Sequence, residues 1–190
     1  IWERELSQGT SNGGIHWGVS TSGDTVWVTV ADPPRQREGY VPKPGIHALD
    51  LSDGTIRWSQ LVTRGCEIDP SATPRVGLVA MQEGEPENLW PECSFYYGHS
   101  AAPLHANGVV YAGALDGKVR LLDADTGEIL RVIETNREFA GANGIEGHGG
   151  AIDLSGVVVD GSRLFIHSGY GMFGQVPGNV LLAFDLRIQN

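Results

Sequence analysis

The chain has few basic residues and no long hydrophobic run. It carries 13 Lys and Arg against 23 Asp and Glu, a formal net charge of −10 over 190 residues. Binding to phosphates or to anionic lipid surfaces needs clustered positive charge, so we expect no nucleic-acid partner. No apolar run approaches the roughly 18 residues that a membrane-spanning helix needs, and we expect no membrane span either.

Sulfur-containing residues are also scarce, with two Met and two Cys. Cys66 and Cys93 flank one long irregular insertion, residues 63–98, and a disulfide between them would stabilise it by about 3–4 kcal/mol through loop closure. Two unpaired thiols are the alternative. A disulfide indicates an oxidising compartment, which predicts a periplasmic or secreted protein.

Several motifs of known chemistry are absent, and so is sustained helical periodicity. The sequence has no Cys/His spacing typical of a metal site, no nucleophile elbow, no phosphate-cradling motif and no CxxCH haem attachment. Glycine is abundant instead, with 27 residues, and there are five Trp. This composition favours many short strands joined by tight turns.

A repeat explains many of the glycines. The stretch ALDLSDGTIRW, residues 48–58, recurs in looser form as LLDADTGEILR, residues 121–131. Each copy is an apolar run, an Asp, a short polar turn with Gly and a second apolar run, which is the pattern of a β-hairpin. Gly54 and Gly127 can adopt the positive φ that such turns require. A second hairpin precedes each copy, so that four strands follow one another in meander order.

These units predict an all-β protein, a β-propeller of four-stranded antiparallel blades, with about three blades present of the roughly four to eight in a closed ring. Trp2 takes the position of Trp58 and Leu130, so we interpret residues 1–6 as the last strand of a preceding blade. The third unit lacks a convincing fourth strand. The remaining blades would come from the same polypeptide or from a partner chain. The predicted blades span residues 14–62, 99–135 and 153–190, with the insertion at 63–98.

The connections between strands fall into two classes by length. The turns from the first to the second strand and from the third to the fourth strand of each unit are minimal. The connections from the second to the third strand and from one unit to the next are mostly long, and in a meander blade these long connections emerge at one end. At that end GGIHWG places His16 and Trp17 before an innermost strand. Trp17 either forms a platform under a planar ligand, with His16 donating to it, or packs between blades. His99 and Ser100 precede the innermost strand of the second unit. The other strand histidines, His47, His105 and His167, are assigned to packing or to the surface.

The stretch NREFAGANGIEGHGGAID, residues 136–153, is the richest in polar side chains. Arg137 can bind a carboxylate through two parallel hydrogen bonds. Asp153, at the start of a strand, can serve as a general base or a metal ligand. Asn143 or Glu138 would complete an oxygen-rich site for a cation such as Ca²⁺. Taken singly, each carboxylate is more often a solvated loop residue, and their convergence in one stretch is what favours a site.

Two parts of the sequence resemble a known family. PGIHALDLSDGTIRW and GALDGKVRLLDADTGEIL are similar to the tryptophan-docking repeats of pyrroloquinoline quinone (PQQ) propellers. The run from Arg137 to Leu186 is similar to the end of polyvinyl alcohol dehydrogenases. The repeats are weakly specific, because non-enzymatic propellers share them. The C-terminal run is a more specific sign of this family than the repeats are.

The resemblance implies a segment of a quinoprotein dehydrogenase. Such an enzyme oxidises a secondary alcohol, here including a polymeric one, with PQQ and Ca²⁺ and passes the electrons to a cytochrome c. Asp153 would take the hydroxyl proton while hydride moves to the quinone. A cofactor-free propeller that acts as a binding or assembly scaffold is the alternative. The implied cofactor contacts are His16, Trp17, His99, Arg137 and His148, and the implied metal ligands are Asn143 and Glu138.

Overall fold

A computed structural model describes residues 1–9, 13–32, 39–63, 98–171 and 175–187. All regular structure in these ranges is β-strand, which confirms the predicted all-β class. Cys66 and Cys93 lie outside the described residues, and so does the predicted disulfide. No helix in the described part of the chain is long and apolar enough to cross a membrane. The strands are β1 (Val19–Ser22), β2 (Thr25–Val30), β3 (Gly45–Asp50), β4 (Ile56–Leu61), β5 (Leu104–Ala106), β6 (Val109–Gly113), β7 (Lys118–Asp123), β8 (Ile129–Glu134), β9 (Glu138–Ala140), β10 (Glu146–His148), β11 (Val157–Asp160), β12 (Arg163–Ser168) and β13 (Val180–Asp185).

The strands form three main sheets and one hairpin. Sheet one has the order β1-β2-β3-β4, sheet two β5-β6-β7-β8 and sheet three β11-β12-β13, while β9 pairs with β10 alone. All pairs are antiparallel, and each neighbour in a main sheet is the next strand in sequence. This is the predicted meander. In sheet three the described residues supply three strands and no fourth, as the sequence indicated.

Hydrophobic cores lie between successive sheets. One cluster of buried side chains combines Trp27 and Ile46 of sheet one with Val110 and Leu122 of sheet two. A larger cluster joins sheets two and three, and it includes Ile133 of β8. Because alternate residues of a strand point to opposite faces, sheet two can bury both of its faces. Packing between sheets therefore provides most of the buried apolar surface.

The first strands of successive sheets approach one another closely. A Cβ built on Gly18, just before β1, would lie 3.7 Å from the Cβ of Ala102, just before β5. Nδ1 of His16 lies 3.0 Å from Oγ of Ser100. Sheets two and three meet in the same way, since the Ala102 N–H donates to the Leu154 carbonyl oxygen at 2.8 Å. The sheets converge at their first strands, which is the radial arrangement of propeller blades.

A tryptophan of β4 joins sheet one to a turn of sheet two. The indole of Trp58 lies against Gly127, so that a Cβ on this glycine would lie 2.6 Å from the ring. Its Nε1 donates to the carbonyl oxygen of Ala124 at 3.0 Å. Trp27 of β2 donates to the same oxygen at 3.4 Å. The turn is therefore held by a ring contact and by two indole hydrogen bonds.

Trp2 makes the same contact on the corresponding turn of sheet one. A Cβ on Gly54 would lie 2.4 Å from the Trp2 ring, and Nε1 of Trp2 donates to the Leu51 carbonyl oxygen at 3.0 Å. The predicted equivalence of Trp2 with Trp58 is confirmed by these contacts.

The predicted equivalence with Leu130 is wrong. Arg131 follows Gly127 by four residues, just as Trp58 follows Gly54 by four. In the strand registers Trp58 pairs with Ala48 of β3, and Arg131 pairs with Leu121 at the equivalent position of β7. Leu130 lies at a β-bulge and is 54% exposed. Its apolar side chain suggested a docking role, but register and not hydrophobicity decides which side chain faces the next sheet.

The interpretation of residues 1–6 as the last strand of a preceding blade stays a prediction. These residues have no ladder of backbone hydrogen bonds within the described residues, and side chains hold the segment instead. Arg4 Nε donates to the Gly54 carbonyl oxygen at 2.9 Å, and Leu6 is buried in a cluster with Val28 and Leu49 of sheet one. The segment is thus docked on sheet one through Trp2 and Leu6.

The apolar pattern of the sequence predicts first strands at Ile15–Ser20 and Ala101–His105, and the observed first strands begin later. β1 begins at Val19 and β5 begins at Leu104. Gly18 has a φ of +140°, which is not a strand conformation. Pro103 precedes β5 and has no N–H to donate to a ladder. Gly18 and Pro103 therefore prevent regular strand pairing before β1 and before β5.

We predict that Gly127→Ala destabilises the protein more than Gly108→Ala. Both glycines have a φ of +75°, but a Cβ on Gly108 meets nothing within 4 Å whereas a Cβ on Gly127 meets Trp58. Left-handed backbone costs an alanine about 1–2 kcal/mol in either variant. Displacing the indole adds roughly 1–3 kcal/mol at Gly127 alone. Urea unfolding of both variants measures the difference, and equal losses of stability would contradict the docking role of Trp58.

Candidate functional site

The long connections meet at one end of the sheets. At this end the Val62 N–H donates to the carbonyl oxygen of Pro44 at 2.9 Å. Val62 directly follows β4, and Pro44 directly precedes β3. Sheet two repeats the arrangement, with the Thr135 N–H donating to the Gly117 carbonyl oxygen at 2.8 Å. Loops between second and third strands therefore emerge beside loops that lead to the next sheet, as their lengths predicted. Loops carried in this way by rigid strands are a common location of binding and catalytic residues.

Asp153 lies at this end, on the segment that leads into β11. Its side chain is buried, with 3% of its surface exposed, and Oδ1 accepts a hydrogen bond from the Leu154 N–H at 2.8 Å. The carbonyl oxygen of Asp153 lies 2.9 Å from Nε2 of His167 in β12, which donates to it. Carboxylate and backbone are thus fixed by separate contacts. No hydrogen bond to Oδ2 is formed within the described residues.

Leu154 has an unusual backbone conformation. Its φ is +60°, one of two positive values among the non-glycine residues that the structure describes. A branched residue in this region costs about 1–2 kcal/mol, and such strain is found preferentially at functional sites. The N–H of this residue is the one that donates to the Asp153 carboxylate. Sequence reasoning missed both Leu154 and His167, because neither a leucine nor a strand histidine signals this geometry.

His99 lies on the segment before β5, and its ring is fully buried. Nδ1 donates to the Gly113 carbonyl oxygen at 2.9 Å, and Nε2 has no hydrogen-bond partner. Burial, together with the nearby positive charge of Arg120, lowers the pKa of His99 from 6.5 to about 4. The ring is therefore neutral at pH 7 and enclosed by protein. Its predicted contact with a cofactor stays a prediction.

Arg137, Glu138, Asn143 and His148 lie on a hairpin that the sequence did not indicate. Glu138 of β9 pairs with His148 of β10, and both line a shallow open pocket. The guanidinium of Arg137 lies 4.0 Å from the centre of the Phe139 ring. Oδ1 of Asn143 accepts from the Ile145 N–H at 3.2 Å and so closes the hairpin turn. The hairpin brings these side chains together on one element.

The residues after the hairpin, Gly149 and Gly150, pack closely against the backbone of segments next to sheets two and three. Cβ atoms on Gly149 and Gly150 would lie 1.9 and 2.2 Å from carbonyl oxygens of neighbouring segments. Oγ of Ser168 accepts from the Gly150 N–H at 2.8 Å and lies 2.8 Å from Oγ1 of Thr135. Both hydroxyl side chains are buried. Side chains larger than hydrogen are excluded here, so the glycines of GHGG serve backbone packing.

His16 and Trp17 lie at the inner end of sheet one. His16 is exposed and contacts Ser100 of sheet two, whereas Trp17 is 49% exposed. Within the described residues Trp17 is therefore not enclosed between two sheets. The platform role of Trp17 stays a prediction.

No group of three or more His, Cys, Asp or Glu side chains in the described part of the chain is arranged to hold a metal ion. Oδ1 of Asn143 is already used within the hairpin turn, and Glu138 lies at the far end of β9 from that turn. Calcium needs six to eight oxygen ligands. The metal-binding role of Asn143 and Glu138 stays a prediction. The predicted quinone contacts lie on sheet one, before sheet two and on the hairpin.

Comparison with known proteins adds a relationship to this geometry. No protein-family model matches the chain. A polyvinylalcohol dehydrogenase of Sphingopyxis sp. (strain 113P3) is 30% identical over 196 residues, and one of a Pseudomonas species is 28% identical over 195 residues. This chain is similar to them along 98% of its length. It spans 27% of the length of either relative.

Solved structures support the fold. A quinohemoprotein alcohol dehydrogenase from Pseudomonas putida HK5 matches with a TM-score of 0.50 at 19% identity, over 97% of this chain and 20% of that one. A europium-containing methanol dehydrogenase matches with a TM-score of 0.50 at 21% identity, over 96% and 25% of the two chains. These likenesses show the fold alone, and they confirm the predicted propeller class.

We predict that stability falls between pH 6.5 and pH 4 because His99 must be protonated on unfolding. The folded pKa of about 4 lies below the unfolded value of 6.5, so the unfolded state binds the proton first as the pH decreases. The contribution is present above pH 6.5 and is lost through this window, by about 3 kcal/mol in all.

Unfolding midpoints at pH 7.5 and pH 4.5 test this prediction. His99→Asn preserves a donor to Gly113 and should reduce the pH dependence, leaving the part that comes from His47, whose pKa burial also lowers to about 4. His148→Asn is the control, since His148 is exposed, and it should retain the wild-type slope. An unchanged slope in His99→Asn would show that another group controls the acid transition.

Proposed function

We propose that the chain is a segment of a periplasmic or secreted quinoprotein dehydrogenase. It oxidises a secondary alcohol, including a polymeric one, with PQQ and Ca²⁺, and a cytochrome c accepts the electrons. The observation that carries this proposal is the similarity to polyvinylalcohol dehydrogenases along 98% of the chain. The partial length of the match makes the activity a property of the longer polypeptide.

Asp153 is the residue of this segment best suited to act on the substrate. Its Oδ1 is occupied by the Leu154 N–H, which leaves Oδ2 to accept the proton of a substrate hydroxyl. The Leu154 N–H holds the carboxylate, and the His167 hydrogen bond holds the Asp153 backbone, before substrate binds. A base that is preorganised in this way needs little rearrangement in the transition state.

The quinone would supply the hydride acceptor. Arg137 and His148 are donors on the hairpin that suit the carboxylates of such a cofactor. Asn143 and Glu138 would hold the metal together with oxygen ligands from other parts of the polypeptide. No step in this segment depends on the metal.

We predict that Asp153→Asn lowers kcat by about 10²- to 10⁴-fold, the usual contribution of a general base. The amide preserves the shape of the carboxylate and can still accept from Leu154, so the fold should remain. Asp160→Asn is the matched control, because Asp160 is an exposed residue at the other end of the same segment, in β11, and should leave kcat unchanged.

The measurement uses the full-length polypeptide reconstituted with PQQ and Ca²⁺, with a secondary alcohol as substrate and reduction of an artificial dye as readout. Full activity in Asp153→Asn would remove Asp153 from the mechanism. No turnover in the wild type together with no quinone absorbance would remove the dehydrogenase and leave the scaffold function.

A further inference from the structure

The β9–β10 hairpin pairs with no other strand in the described part of the chain. Most of its residues, from Glu138 to His148, are exposed. A hairpin of two strands alone is marginally stable in water. The place of this hairpin on the molecule therefore depends on the contacts at its base, where β9 begins and β10 ends.

Asn179, the residue before β13, binds the backbone of His148 twice at this base. Its Oδ1 accepts a hydrogen bond from the His148 N–H at 3.0 Å, and its own N–H donates to the His148 carbonyl oxygen at 2.8 Å. A backbone N–H can only donate, so the amide oxygen of Asn179 and not its Nδ2 faces His148. Both backbone polar groups of His148 are thus bound by a single residue next to sheet three.

Two glycines leave room for this contact. A Cβ on Gly147 would lie 3.0 Å from Oδ1 of Asn179 and 2.6 Å from Cγ1 of Val180. A Cβ on Gly178 would lie 2.4 Å from the His148 carbonyl oxygen. A larger side chain at either position would separate the hairpin from the start of β13. Both segments therefore carry glycine where their backbones meet.

The same contact sets the direction of the His148 side chain. His148 pairs with Glu138 across the hairpin, but its N–H and carbonyl groups bind Asn179 and not β9. The next residue, Gly149, donates its N–H to the Arg137 carbonyl oxygen at 2.9 Å. His148 and Glu138 consequently form a non-hydrogen-bonded pair, in which the two side chains lie close together on one face. Both side chains and Asn179 line the open pocket.

We infer that Asn179 is a positioning residue for His148. By binding both backbone groups of His148 it fixes the base of the hairpin and holds the imidazole at the pocket. The role of His148 towards the carboxylates of the quinone rests on the proposed function. The fixing of the hairpin by Asn179 does not.

Hydrogen exchange in the full-length polypeptide, followed by mass spectrometry before PQQ is added, tests the fixing of the hairpin. Asn179→Leu keeps the size of the side chain and removes the acceptor, whereas Asn179→Asp keeps the acceptor. We expect the hairpin amides to exchange about 10-fold faster in Asn179→Leu, the effect of one hydrogen bond, while peptides of sheet two are unchanged. Asn179→Asp should exchange as the wild type does.

Asn107→Gly is the matched control for the loss of an amide side chain. Asn107 is exposed in the turn between β5 and β6, and its φ of +52° suits glycine. This variant should leave the exchange of the hairpin unchanged.

A double-mutant cycle with PQQ as the probe tests the action through His148. Isothermal titration calorimetry with Ca²⁺ and without substrate measures the affinity, so that no turnover is needed. Asn179→Leu should weaken binding by about 10-fold in the wild-type background and by less than about 2-fold in His148→Gln. A residue that acts through His148 has nothing to position once the imidazole is removed.

The outcomes separate this inference from the proposed function. Faster exchange confined to the hairpin, together with the non-additive affinities, supports the positioning role. Unchanged exchange in Asn179→Leu would overturn it, and so would faster exchange throughout the sheets, which indicates a general loss of stability. Equal losses of affinity with and without His148 would overturn the action through His148 but leave the proposed function in place. Absence of PQQ binding in the wild type would remove the proposed function, and the role of His148 towards the quinone with it.

Discussion

The close approach of neighbouring sheets at their first strands is the constraint on which the rest of this structure depends. Small residues make it possible. Gly18 faces Ala102, and a Cβ on Gly113 would lie 2.4 Å from the Ile152 side chain. With so little room at the inner end, the large aromatic side chains are placed further out, where Trp58 docks on a turn. Convergence inside and aromatic docking outside together fix the angle between sheets, and with it the end where the long loops meet.

Polar contacts also join neighbouring sheets. Oγ1 of Thr29 donates to the Ala101 carbonyl oxygen at 2.7 Å across the first interface, and the hydroxyl oxygens of Thr135 and Ser168 lie 2.8 Å apart across the second. Buried polar groups are costly unless they are bonded. Among the described side chains, Nε2 of His47 and of His99 are the buried polar atoms without a partner. The inner end is thus held by directional bonds, which set the positions of the loops more strictly than apolar packing does.

The hairpins and their order were predictable because turn chemistry is local. Glycine at a position of positive φ, preceded by Asp or Thr, has the same meaning wherever it occurs. Register is not local, and for this reason Leu130 was assigned the place that Arg131 holds. The β9–β10 hairpin was missed because its glycines obscure the alternation of a strand. The strained φ of Leu154 has no signature in sequence, since leucine rarely adopts it.

The same distinction applies to the candidate site. Asp153 and the hairpin residues were identified by their position in a polar, glycine-rich stretch, which is a statement about composition. Whether they share one cavity depends on tertiary contacts, and the contacts show a hairpin closed by Asn143 and an enclosed His99. The partnership of His167 with the Asp153 backbone arises only when β12 is placed beside the segment before β11.

The carbonyl oxygen of Ala124 accepts from Trp27 and from Trp58 at once. Two of the five tryptophans therefore have their indole N–H groups in one environment that exists only while sheets one and two are in contact. Separation of these sheets would transfer both N–H groups to water together. The tryptophan fluorescence of the chain therefore depends on the contact between sheets one and two.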